Sequence, residues 1–237
     1  MLANSQITST TLRVVTYVAA TIALASYAQS QTVPSGGLDV PARNLPVPTT
    51  VSPQIQKLIG APLRTNWNVL PATGAEWKPG TSAGGGLTLA MVLKAKLDKV
   101  PLPGAIAPGT PMSDVTKAGD TFQTNAMVDN ILVSPDGFCD AGTKVYANGL
   151  DFKDPMLSPI YGDMKGFPPA ILTSGTRDLL LSNTVRVHRK LRQAGIEATL
   201  QVFEGQSHAH YLRDDTAPET KEVFSEIARF FDRHLGK

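Results

Sequence analysis

An α/β fold, with a mostly parallel sheet and helices on both faces, is predicted by three observations. Ala170-Ile171-Leu172-Thr173-Ser174 is the clearest strand of the chain and runs into Gly175-Thr176-Arg177-Asp178. A helix follows from about Leu179 to Gln193, stopped by Ala194-Gly195, and a second strand runs from Glu197 to Phe203. After a loop holding Gly205, His208 and His210, a last helix opens at Pro218 with Val223, Ile227, Phe230, Phe231 and Leu235 on one face. Strand, helix, strand, loop and helix in that order is the grammar of parallel α/β units.

The 237 residues are 42% hydrophobic and 18% charged with a formal charge of +2, which describes a single ordinary globular domain. So even a balance offers no support for nucleic-acid binding, which leaves a basic patch. Cys139 is the sole cysteine. No intramolecular disulfide can form, and its amphipathic surroundings assign the thiol to packing.

Taken in order, residues 1–28 read as an export signal. Arg13 precedes the apolar run Val14 to Ala25, and Ser26-Tyr27-Ala28 supplies the small residues of a cleavage site. The run is short of the ~20 residues that cross a bilayer, so a secreted or periplasmic protein with no stable membrane span is expected. Residues 29–50, rich in Pro, Gly and Ser, read as an extended linker, and 51–237 as the domain. Ser52-Pro53 opens a short helix to Ile59, with Ser as cap and Pro at the first helical position. No apolar strand pattern emerges up to Trp77-Lys78-Pro79. Further on, Leu102 to Ala107 reads as a short strand, Gly119 to Asn125 as loop, Ala126 to Leu132 as a short helix, and Ser134 to about Asn148 as another.

The most informative stretch is Gly80-Thr81-Ser82-Ala83-Gly84-Gly85-Gly86, a G-x-S-x-G that opens an apolar helix. In this pattern a serine sits at the apex of a sharp turn, and glycines flank it because side chains there would crowd the turn. The phosphate-cradling spellings, G-x-x-x-x-G-K-[ST] or G-x-G-x-x-G after a strand, are absent. A serine used as nucleophile needs an imidazole to take its proton and a carboxylate to orient that imidazole. In a parallel sheet all three hang from loops at the carboxyl ends of strands. Asp178 follows the strand 170–174 and His208 follows the strand 197–203, so Ser82, Asp178 and His208 are the candidates. His210 shares the loop and rivals His208, while Asp178 also reads as a simple helix cap. His188 reads as a surface residue beside Arg186, Arg189 and Lys190, and His234 suits the C-terminal end of the last helix. Asp114, Asp129, Asp151 and Asp163 read as caps and turn formers. No His/Asp/Glu spacing suggests a metal site.

These residues carry a family resemblance. Thr81-Ser82-Ala83-Gly84-Gly85-Gly86-Leu87 resembles the nucleophile turn of the hormone-sensitive-lipase-like esterases of the α/β-hydrolase superfamily. Ser158-Pro159, Phe167-Pro168-Pro169-Ala170, Gly175-Thr176-Arg177-Asp178 and Glu204-Gly205-Gln206-Ser207-His208 resemble that family's later blocks, in the right order. The likeness covers about Gly80 to Lys237. It implies an esterase or lactonase that acts on small-molecule esters without a cofactor. It also implies Ser82 as nucleophile, His208 as base in preference to His210, Asp178 as its orienting acid, and the Ala83 N–H as an oxyanion donor.

The family also places an H-G-G-G loop upstream, whose N–H groups supply most of the oxyanion hole. Here Gly36-Gly37 is the only upstream glycine pair. The expectation is therefore a partial α/β-hydrolase fold, its N-terminal strands missing. Its elbow lacks a feeding strand, and its sheet has an open inner edge. Two rivals to a working esterase stay open: a decayed hydrolase without activity, and a serine peptidase of the prolyl-oligopeptidase kind.

Overall fold

The computed structural model describes residues 47–59 and 80–235. The expected export signal, most of the linker and the stretch before the serine turn lie outside the described residues. The elements in order are helices α1 (Pro53–Ile59), α2 (Ala83–Leu97), α3 (Thr121–Thr124) and α4 (Phe138–Ala147), strand β1 (Ala170–Gly175), helix α5 (Leu181–Gln193), strand β2 (Ala198–Phe203) and helix α6 (Pro218–Leu235). Short 3₁₀ turns lie at Pro159–Tyr161 and His210–Leu212. Among the described residues no helix is long and apolar enough to cross a membrane.

β1 and β2 pair in parallel from Ala170 opposite Ala198 to Gly175 opposite Phe203, with α5 as the crossover that parallel strands require. On the other side of β1 an extended segment bridges from Ile106 to Ala170 and from Gly109 to Thr173, and Gly109 also bridges Thr81. The serine turn, this segment, β1 and β2 therefore lie side by side. The strand expected at Leu102 to Ala107 is thus reduced to isolated bridges. Pro103 and Pro108 have no N–H to give a ladder, and the donors that remain are Ile106 N to Pro169 O at 2.9 Å and Thr110 N to Thr173 O at 2.6 Å.

β1 is buried along its whole length because both its faces are covered. On one face Ala170 and Leu172 pack with Leu89, Val92 and Leu93 of α2 and with Val187 and Leu191 of α5. On the other, Ile171 meets Ala105 and Phe230 of α6. The alternation follows the two-residue period of a strand. Leu235, expected on the buried face of α6, is instead exposed at its end.

α2 approaches the segment 109–112 through glycine. A Cβ on Gly85 would lie 2.6 Å from the Gly109 carbonyl oxygen, and one on Gly86 would overlap the Met112 carbonyl oxygen. The glycine run after the serine thus serves helix packing as well as the turn.

Two helix assignments shift. Residues 126–132 form turns, not a helix, with Met127 and Val133 at φ of 62° and 65°. The cause is Asp129, whose carboxylate takes the N–H groups of Ile131 and Leu132 that a helix would direct to carbonyls. The one-turn α3 falls instead in the stretch expected to be loop. α4 begins at Phe138 rather than Ser134, since Gly137 at φ 75° breaks the path and Ser134 Oγ accepts the Asp136 N–H at 3.1 Å.

Candidate active site

Ser82 stands at the apex of its turn with φ 62° and ψ −122°, a conformation that costs a side-chain-bearing residue about 1–3 kcal/mol. Three backbone bonds hold it there: Ser82 N donates to Gly109 O at 2.9 Å, and Gly86 N and Met112 N each donate to Ser82 O at 3.0 Å. Ala83 is the first residue of α2, so its N–H has no acceptor within the helix and points from the positive end of the dipole.

The loops after β1 and β2 meet backbone to backbone. Arg177 N donates to Gln206 O at 3.0 Å and Thr176 N to Phe203 O at 3.0 Å. Gly175 has no Cβ because the Gln206 carbonyl occupies that space. This contact sets Asp178 and His208 together: His208 Nδ1 lies 3.1 Å from Asp178 Oδ1. Asp178 is fully buried and His208 is 4% exposed. Asp178 also accepts from Leu180 N at 2.8 Å and Ser174 Oγ at 2.8 Å. It closes a turn ahead of α5 and is not the helix cap that the sequence also allowed, since Leu180 holds that position without a side-chain capping bond.

Thr110 joins the pair from a segment that the spacing of residues did not single out. Its hydroxyl donates to Asp178 Oδ2 and lies 3.0 Å from His208 Nδ1. The hydroxyl proton is committed to the carboxylate, so the Nδ1–H is shared between Asp178 Oδ1 and Thr110 Oγ1. That fixes the tautomer with the proton on Nδ1 and a lone pair on Nε2. Burial opposes ionisation of both partners. The mutual attraction and hydrogen bond outweigh it, raising the His208 pKa above its ordinary 6.5 and lowering that of Asp178 below 3.8.

His210 differs. It is fully buried, its Nδ1 accepts from Ser207 N at 3.2 Å, and it makes no hydrogen bond to Asp178. Burial and the nearby Arg213 push its pKa down to about 4. Of the two histidines in the loop, His208 is the one that meets the carboxylate. His188 is half-buried, with Nε2 3.2 Å from Ala198 O, rather than a surface residue. Burial pushes the Cys139 thiol up to about 12, which suits packing. No hydrogen bond joins Ser82 to His208 among the described residues.

Asp129 joins Asp178 and His208 to form a cluster whose ligand atoms lie within 4.8 Å of one another, a spacing that would suit a cation. Its oxygens, however, already accept four backbone N–H groups, from Ile131, Leu132, His208 and Leu179. The cluster is held by hydrogen bonds. Asp129 and Tyr211, whose hydroxyl lies 3.1 Å from Thr81 Oγ1, are further parts of the site that no motif in the sequence marks.

The sequence profile of a family described as alpha/beta hydrolase fold matches residues 79–212. The chain belongs to the alpha/beta hydrolase fold family. It is 28% identical over 152 residues to an esterase of Acinetobacter venetianus, covering 64% of this chain and 50% of that one. It superposes on the crystal structure of an esterase with a TM-score of 0.64 at 50% identity, over 65% of this chain and 47% of that one. A hormone-sensitive lipase from a metagenome library gives a TM-score of 0.61 at 28% identity, over 65% and 51% of the two chains. These neighbours, an esterase and a hormone-sensitive lipase among them, are of the kind that the spelling around Ser82 resembles. The chain spans about half the length of the relatives it matches.

Proposed function

We propose that this alpha/beta hydrolase cleaves carboxylic esters of small molecules through an acyl-enzyme on Ser82. The observation that carries the reading is the buried His208–Asp178 contact of 3.1 Å, on loops that meet beside the serine turn. In this mechanism the Ser82 hydroxyl attacks the ester carbonyl carbon and its proton passes to His208 Nε2. The Ala83 N–H donates to the developing oxyanion, a kind of contact worth about 10²–10³ in rate. The imidazolium, held by Asp178 and Thr110, gives its proton to the leaving alcohol. Water then repeats the sequence on the acyl-serine and releases the acid. The relatives named esterase and acetyl-hydrolase support short acyl chains; lactones are the related substrate class. The leader-like sequence supports export, and nothing favours a particular oligomer.

A second reading, a hydrolase fold without turnover, is favoured by one observation, the lack of a hydrogen bond between Ser82 and His208. Proton transfer needs them about 2.6–3.2 Å apart in the reacting complex. Hydrolysis of p-nitrophenyl acetate by the full chain separates the readings. Turnover lost in Ser82→Ala supports the esterase, and an unchanged rate in that variant refutes it. Cleavage of a p-nitroanilide would point to a peptidase.

A further inference from the structure

We propose that Asp129 is a positioning residue that holds the loop carrying Asp178 and the loop carrying His208 at the separation where the imidazole and the acid meet. The inference rests on reading those two residues as the acid–base pair. Asp129 is completely buried. Its Oδ2 accepts the N–H of Leu179, one residue past Asp178, at 2.8 Å. Its Oδ1 accepts the N–H of His208 itself at 3.4 Å, with those of Ile131 and Leu132 at 2.8 and 3.2 Å. One side chain therefore grips the backbone of both loops, which lie 30 residues apart in sequence.

Its neighbours brace the same two loops. Asn125 Nδ2 donates to the carbonyls of Asp178 at 2.8 Å and Thr176 at 3.2 Å, and Asn130 N donates to Ser207 Oγ at 3.3 Å. The turn that replaces a helix at residues 126–132 is what brings this brace into place.

The chemistry selects a carboxylate. Four N–H donors converge on one side chain, and only a group that accepts at both ends without presenting a donor of its own satisfies them all. An amide of the same shape would set N–H against N–H. A purely structural brace would avoid a second buried acid beside Asp178, because like charges and desolvation both penalise it. The groups facing Asp129 are Asp178, His208 and Cys139. Burial and the charge of Asp178 raise its pKa to about 6. Its own charge makes His208 more basic. Asp129 thus acts on the imidazole in two ways, through backbone placement and through its field.

The test is NMR of the full chain carrying ¹⁵N-labelled histidine, with His208 assigned by His208→Gln. In wild type the His208 Nδ1–H should be protected from solvent and the ring should titrate above pH 6.5. In Asp129→Asn, Nδ1–H exchange should quicken at least about tenfold and the ring midpoint should fall, while amide protection in β1 and β2 is kept. On p-nitrophenyl acetate, kcat should drop about tenfold or more with KM within about twofold. A variant with wild-type Nδ1–H protection and midpoint overturns the proposal, as does wild type lacking a protected Nδ1–H. If Asp129→Asn does not fold, the wild type decides. Leu179 and His208 amide shifts that titrate with the Asp129 carboxylate support the assignment, and shifts that ignore it overturn it. Because these signals need no turnover, wild type that keeps them yet hydrolyses no ester refutes the esterase reading alone.

Discussion

The Tyr211 hydroxyl lies 3.1 Å from Thr81 Oγ1, so the serine turn is tied directly to the loop that carries His208. The two residues are 130 positions apart, one just before the nucleophile candidate and one just after the base candidate. Gly109 lies between them, and a Cβ there would overlap the tyrosine oxygen. Burial raises the phenol pKa, so Tyr211 stays protonated in alkaline assays and the link persists. Tyr211→Phe should lower stability by about 0.5–1.5 kcal/mol, read as a lower urea midpoint with an unchanged slope. An unchanged midpoint would mean that other contacts fix the two loops.

The raised His208 pKa fixes the sign of two pH effects. The base acts when neutral, so kcat/KM should rise with pH and reach half its plateau above 6.5. For stability the direction is opposite. A histidine with a raised folded pKa contributes stability that is complete below its unfolded value and is lost as pH rises through the folded one. Asp178, with its pKa lowered below 3.8, contributes above that value and loses its contribution as pH falls through its folded pKa. The stability gap between wild type and His208→Gln should therefore shrink from pH 6 to pH 9 in urea titrations.

Thr110→Val removes the hydroxyl that bridges Asp178 Oδ2 and His208 Nδ1 while keeping the shape. It should cost about 1–3 kcal/mol, because a buried carboxylate loses a donor. The tautomer should also be held less firmly, which would appear as a fall of about tenfold in kcat with little change in KM. Thr110→Ser should recover most of both. A Thr110→Val enzyme with wild-type kcat would show that the hydroxyl does not orient the imidazole.

Much of this architecture can be read from the residues themselves. The apolar run at 170–174 is a strand because its side chains alternate between two helix layers, and the run at 197–203 pairs with it in parallel and packs Ala198 and Leu200 into one of those layers. The loops after them had to carry the candidates, since that is where parallel strands end. What stays hidden in the sequence depends on single side chains bonding to distant backbone. Asp129 looks like any turn former until its oxygens are seen to reach residues 179 and 208. Thr110 stands just past the segment expected to be a strand, and nothing in the local spacing links its hydroxyl to residues 178 and 208. The helix expected over 126–132 failed for the same reason, because local apolar spacing does not register a carboxylate that competes for N–H groups.

Two glycines should respond in opposite directions to the same substitution. In Gly86→Ala the new methyl would overlap the Met112 carbonyl oxygen, forcing α2 away from the turn at a cost of about 1–3 kcal/mol. At Gly142, within α4, an added methyl would meet nothing within 4 Å, and Gly142→Ala should stabilise by about 0.5–1 kcal/mol through helix propensity. Thermal unfolding of both variants checks the pair.

The sharpest check on Ser82 as a nucleophile is mass spectrometry of the intact, folded chain after exposure to a fluorophosphonate, which reports a working hydroxyl without any choice of ester. One adduct is expected, mapped to Ser82, absent in Ser82→Ala and formed at least about 10²-fold more slowly in His208→Gln. Folded wild type that takes no adduct at Ser82, or an adduct whose rate ignores His208, would contradict the Ser82–His208–Asp178 mechanism.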